Sequence, residues 1–442
     1  MKRPDFTYLA ITMGGLLFTQ FATAQGSLTL QDSIAAYFQE AKDAAESHES
    51  LWGLNVYGPV LLVNPVTRQV YANQADGAGV LRADGLIFSG TLPSQVVLAN
   101  ASIGWNGNRW AMVLLPFLSK TSKEDRIQLL THELFHRSQT ALHFTLRERS
   151  NNHLDQKDGR IALRLEMEAL KKAIQTDEVN EMKVHLRNAF VFRKYRYMVY
   201  PGSDTTENLS ELNEGLAEYS GLIMSGRSHQ EVANRLVQKI DDLATGGSFV
   251  RTFAYRTVPV YGYLLRTHNN TWNKQITSET NLTDYFIKQF SLVLPVDVTK
   301  AFQEIGQAYK LKTIESEETQ RDAAKKQLIS QYKDKFITQP HFEIVFEKKS
   351  TSFDSRNLTP LEGYGTVYPT ITVSDNWGLL TVRNVGGLMS LNRDKITVTA
   401  PLTMEGNRIG GEGWTLELNS NYQVQKDKTT GNYTLINYKQ HD

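Results

Sequence analysis

The pentad His132-Glu133-Leu134-Phe135-His136 narrows the folds open to this chain more than any other stretch of it. On a helix, positions i and i+4 lie one above the other on the same face, so the two imidazoles can share one Zn²⁺. Glu133 then sits beside the metal, where it can take a proton from a zinc-bound water without being a ligand. Three protein ligands leave a fourth position open for that water, so a second element has to return to this helix. The flanking sequence supports the helix. Thr121 with Glu124 reads as a capping box that starts it near Ser122, and the pattern runs to about Leu142. Ile127, Leu130, Leu134 and Phe135 make its buried stripe, and both histidines fall on the border of that stripe.

Composition fixes the ligand chemistry. The chain has 442 residues and no cysteine, which excludes disulfides, thiolate nucleophiles and thiolate-held zinc. Any metal is left to histidines and carboxylates. Lys and Arg number 48 against 47 Asp and Glu, with no long run of one sign, so neither a nucleic-acid footprint nor a polybasic membrane patch is present. Lys2 and Arg3, an apolar run from Tyr8 to Phe21, and Ala22-Thr23-Ala24 read as a signal peptide over residues 1–24. Its expected destination is the periplasm or the extracellular space. No other segment is long and apolar enough to anchor the chain in a bilayer.

The order of patterns predicts an α+β chain in three further parts. Residues 25–120 hold a helix at about Leu30 to Glu49 and then a mixed or antiparallel sheet. Its strands are expected at Val60–Val63, Gln69–Ala72, Leu86–Phe88, Val96–Leu98 and Arg109–Leu115. The last of these precedes the metal helix, and as an edge strand it would pair with an extended peptide. Residues 121–337 are mostly helical. Arg193, Lys194 and Arg196 are expected in solvent, and Glu315 to Lys335 is expected to be a solvated connector. Residues 338–442 alternate apolar and polar positions between Gly and Asn turns, which predicts a small all-β domain, a sandwich or a barrel.

A second motif lies in the helix expected over Glu207 to Gly226, whose apolar face is Leu209, Leu212, Leu216, Tyr219 and Ile223. There Asn213-Glu214-Gly215-Leu216-Ala217 matches N-E-G-x-A, and with the pentad it resembles the gluzincin zinc metallopeptidases. The resemblance implies a zincin-like catalytic core, Zn²⁺ as cofactor, and Glu214 as the ligand that joins His132 and His136. Residues 137–213 separate His136 from Glu214, far more than the family's usual interval of about twenty. Glu218, one turn on, projects from the same face and is the alternative ligand, or an acceptor for a ligand histidine's other nitrogen. Glu166 and Glu168 are weaker candidates. Zinc peptidases also need a donor for the developing oxyanion, and Tyr255 and Tyr261 are the candidates in an aromatic- and arginine-rich stretch. The expected function is an exported zinc metallohydrolase acting on peptide or protein substrates. The competing reading is a catalytically silent zincin-like secreted protein that binds ligands through its β domain.

Overall fold

The computed structural model describes residues 29–146, 149–245, 247–353 and 358–438. The expected signal peptide, residues 1–24, lies outside the described residues. Helix α1 (Leu30–Ser47) starts at Thr29, which accepts from the Asp32 N–H while its own N–H donates to the Asp32 carboxylate. Six strands follow: β1 (Val60–Val63), β2 (Gln69–Ala72), β3 (Arg82–Asp84), β4 (Ile87–Thr91), β5 (Ala101–Trp105) and β6 (Asn108–Leu114). They form one sheet in the order β3-β4-β2-β1-β6-β5, parallel only between β1 and β6, so the sheet is mixed. The continuous apolar run of β1 is buried on both faces. Val60 and Leu62 pack against Ile34 and Phe38 of α1, and Leu61 and Val63 against Trp110 and Met112.

Two expectations about this sheet change. Val96-Val97-Leu98 is a loop after Pro93, not a strand. Val96 and Leu98 cover the sheet's outer face, the Arg68 guanidinium donates to the Val96 carbonyl at 2.6 Å, and Val97 is exposed. The run is apolar because it roofs a sheet, not because it pairs in one. The edge strand beside the pentad's helix is β5, which hides β6 from solvent pairing on that side.

Helix α2 (Lys123–Ser138) carries the pentad. Its N-cap is Ser122, which accepts from the Asp125 N–H at 3.1 Å, one residue later than the Thr121–Glu124 box. Leu130 and Leu134 face the sheet, while Phe135 packs against Trp52 and Phe144 in the helical core. That core is built from α3 (Lys157–Gln175), α4 (Val179–Val199), α5 (Ser203–Ser210), α6 (Leu216–Met224), α7 (His229–Thr245), α8 (Ala254–Arg266), α9 (Leu282–Gln289), α10 (Val298–Gly306) and α11 (Leu311–Lys333). A π-helical turn, Glu211–Gly215, joins α5 to α6.

Arg193 and Arg196 are not solvated: both are fully buried. Arg193 bridges Glu166 and Glu211, and Arg196 pairs with Glu207, so α3, α4 and the segment leading to the π-turn are tied by charge. Such a network is costly to break, because removing one partner strands the others away from water. The expected connector at Glu315–Lys335 runs through α11 into the turn Asp334–Thr338 and is mostly exposed, but it is not free of the core. It packs on α3, where buried Glu318 pairs with Arg160 and Arg164.

From His341 the described chain is strand-rich, with strands in two sheets of seven and six. Phe342, Ile344 and Val398 of one sheet share a core with Val373, Leu380 and Leu416 of the other, which makes a sandwich. It joins the helical part through the end of α11, where Tyr332 and Phe336 pack with Leu361, Val367 and Leu388. Among the described residues no helix is long and apolar enough to cross a membrane.

Candidate metal centre

Helices α2 and α6 touch along the site, and their closeness has a local cause. A Cβ at Gly221 would stand 2.5 Å from the Gln128 carbonyl oxygen, so only glycine lets α6 lie this near α2. Gly215 plays the same part against α8, where a Cβ would meet Val258 side-chain atoms at 2.7 and 2.8 Å. At Gly215 the backbone leaves the π-turn, which carries Glu214, and enters α6, which carries Glu218.

His132, His136 and Glu214 come together. Nε2 of His132 and Nε2 of His136 are 3.1 Å apart, and Oε2 of Glu214 lies 3.5 Å from the first and 3.3 Å from the second. Donors bound tetrahedrally to zinc at about 2.0–2.2 Å stand about 3.3–3.6 Å from each other. The triangle therefore has the size of one face of such a site. Two imidazoles and a carboxylate are also a donor set that suits this ion.

The outer nitrogens are already held. Nδ1–H of His132 donates to Oε2 of Glu218 at 3.0 Å, and Nδ1–H of His136 donates to Oε1 of Gln139 at 3.0 Å. Both Nε2 atoms are thereby left as lone-pair donors pointing into the triangle. Glu218 is buried and accepts in turn from Gln128 at 2.6 Å and from the Lys239 ammonium. The choice between the two glutamates resolves geometrically: Glu214 faces both Nε2 atoms, and Glu218 stands behind His132.

No family model, curated protein or solved structure matches this chain. The site is thus read from its own geometry and charges.

Burial opposes a charge on His132, but hydrogen bonds to Glu214 and Glu218 win and raise its pKa to about 10. The same contacts hold the Glu214 carboxyl far below its usual range against burial, and Lys239 with His132 does so for Glu218. The cluster therefore demands positive charge, which a proton supplies when no cation does. Burial pushes Glu133 up, with the two histidines opposing and the two glutamates assisting. Its Oε2 is buried with no hydrogen-bond partner among the described residues, an unpaired acceptor beside the triangle.

Tyr255 and Tyr261 separate. Tyr255 stacks on the His132 ring with centroids 5.5 Å apart, and its hydroxyl donates to Glu214 Oε2. Burial and the Glu214 charge keep that hydroxyl protonated, well above the usual tyrosine range. Tyr261 is removed from the site: it is fully buried, stacks on Phe190 and donates to Glu166 at 2.9 Å. Six residues apart on α8, the two rings point about 240° from each other, so one helix face cannot present both. Glu166 belongs to the Arg193 network and Glu168 pairs with Lys310, so neither joins the triangle.

The cleft over the triangle has a volume of about 260 Å³ and is also lined by Asn100, Ser102 and Arg109. Ser102 belongs to β5, so the edge strand flanks the site. Sequence reasoning passed over Gln128, Gln139 and Lys239. Gln128 precedes His132 by four residues and Gln139 follows His136 by three, so the helical spacing that paired the histidines would have found both glutamines. Lys239 left no such signal, because α7 brings it in from far along the chain.

Proposed function

We propose that this chain is an exported zinc-dependent peptide hydrolase with a zincin-like core, in which His132, His136 and Glu214 hold the metal. The observation that carries the reading is the triangle of Nε2, Nε2 and Oε2, with edges of 3.1, 3.3 and 3.5 Å, beside an unpaired buried carboxylate oxygen. The resemblance of the two motifs to gluzincins points the same way. When bound, Zn²⁺ supplies Lewis acidity, lowering the pKa of a water and polarising the carbonyl to be attacked.

The residues do the rest. Glu133 accepts the nucleophile's proton at its carboxylate and returns it to the leaving amine, a task suited to a carboxyl raised by burial. The Tyr255 hydroxyl remains a donor and offers its proton to the oxyanion that develops beside Glu214. Glu218 and Gln139 keep the two imidazoles in the tautomer that binds. Edge strand β5 provides free backbone groups on which an extended substrate can lie.

The test compares zinc-loaded wild type with Glu133→Gln on a mixed peptide library, with zinc content measured in both. The expected result is cleavage by the wild type, and a loss of at least about 10²-fold in the variant at unchanged zinc content. A fully zinc-loaded wild type that cleaves nothing would instead support the silent binding protein.

A further inference from the structure

The metal cleft does not end at Glu214. A second cavity, of about 420 Å³, meets it there, and Glu214 and Tyr255 line both. The walls of the second cavity carry Arg149, Ser150, Ser210 and Arg251. Arg149 and Arg251 lie on loops and are exposed. Among the described residues neither guanidinium has a carboxylate within ion-pair distance. Arg137, Arg187 and Arg256 of the helical part likewise have no carboxylate at that distance among the described residues, but their guanidiniums donate to carbonyl or amide oxygens and do not line this cavity. Among the described residues Glu214 is the one acidic side chain lining the cavity, and its carboxylate is already engaged by His132, His136 and Tyr255. Arg109, on the wall of the metal cleft, adds a third guanidinium without a carboxylate among the described residues; it donates to Ser102 instead.

Two unpaired guanidiniums in one concavity have a defined ligand chemistry. The planar fork of an arginine matches a carboxylate with two parallel hydrogen bonds, and such charge-assisted contacts are about twice as strong as neutral ones. Walls that exclude part of the solvent strengthen the attraction and focus the field toward an entering anion. A peptide offers carboxylates from Asp and Glu side chains and from its C-terminus. We propose that this cavity is a substrate subsite for a carboxylate next to the bond that is cut, so that the preferred substrates are acidic peptides. Ser210, whose Oγ accepts from Asn151 Nδ2 at 2.9 Å, offers its hydroxyl proton on the same wall to an oxygen the arginines leave free, while the Ser150 hydroxyl already donates to Asn152. This assignment rests on the hydrolase reading above, and its test separates the two.

The test measures binding, on zinc-loaded Glu133→Gln so that substrate persists, by fluorescence anisotropy of three peptides of equal length. One has glutamates and an amidated C-terminus, one is neutral with a free C-terminal carboxylate, and one is neutral and amidated. One of the first two should bind at least about tenfold tighter than the third, and which one it is identifies the source of the carboxylate. Adding Arg149→Ala and Arg251→Ala should bring all three within about twofold, with zinc content and melting temperature unchanged. Arg251→Glu, in the same background, should turn the preference toward a lysine-containing peptide. Equal binding of the three peptides, or a preference that survives the double substitution, would overturn the subsite. Selective binding without cleavage of any peptide by the wild type would overturn the hydrolase reading and leave the anion subsite standing.

Discussion

Glu214 at the end of the π-turn and Glu218 in α6 are four residues apart, yet their surroundings give them different tasks. Glu214 meets two imidazole nitrogens and a phenol, and Glu218 meets one imidazole, an amide and an ammonium. The sequence put both on the right face and could not rank them, because the ranking depends on Gln128 and Lys239, which arrive from other helices. Buried charge elsewhere was hidden for a similar reason: Arg193 and Arg196 look like any surface arginines until Glu166, Glu207 and Glu211 surround them. That network predicts a pH dependence. Burial alone would raise the Glu207 carboxyl, but Arg196, His153 and Arg193 lower it from 4.5 to about 2. A depressed carboxylate adds stability above its unfolded pKa and loses it as pH falls through the folded one. The free energy of unfolding should therefore fall more steeply from about pH 4.5 to pH 2 in the wild type than in Glu207→Gln, measured by urea titration. Parallel curves would contradict the assignment.

At the scale of elements, the centre depends on how closely α2 and α6 lie and on the π-turn before α6. Turns of this kind recur at functional sites because one extra residue per turn re-aims the side chains that follow. That Gly215 faces α8 while Gly221 faces α2 was not legible in the sequence, because it depends on which helices pack there. Gly221→Ala drives a methyl group against the Gln128 carbonyl, which is backbone and yields poorly. The variant should lose about 1–3 kcal/mol of stability and bind zinc more weakly, read by denaturant melts and chelator competition. Unchanged values in both would show that the helices have slack. Among the strands, alternation and apolar runs located β1, β2 and β6. β5 escaped notice because its Ser102 and Gly104 break the apolar signal at the edge where substrate is proposed to lie.

At the scale of the whole molecule, the chain places its sheet and helices around the centre and its sandwich after them, joined through α11. The order of patterns in the sequence carried this much: mixed sheet, helices, then strands. The contact between the parts was not readable, since Phe336 and Leu388 are ordinary apolar residues until they meet. Phe336→Ala should loosen that joint at a cost of about 3–5 kcal/mol and expose the chain between α11 and His341 to limited proteolysis. Resistance equal to the wild type would mean that the joint is held elsewhere. The proposed centre depends most on the return of Glu214 to the pentad across residues 137–213, so the decisive measurement is zinc bound per chain after dialysis against a weak chelator. Wild type should retain about one zinc and Glu214→Ala less than about a tenth, while Glu218→Ala binds about 10–100-fold more weakly through a misoriented His132. Full retention of zinc by Glu214→Ala, or none by a correctly folded wild type offered the metal, would contradict it.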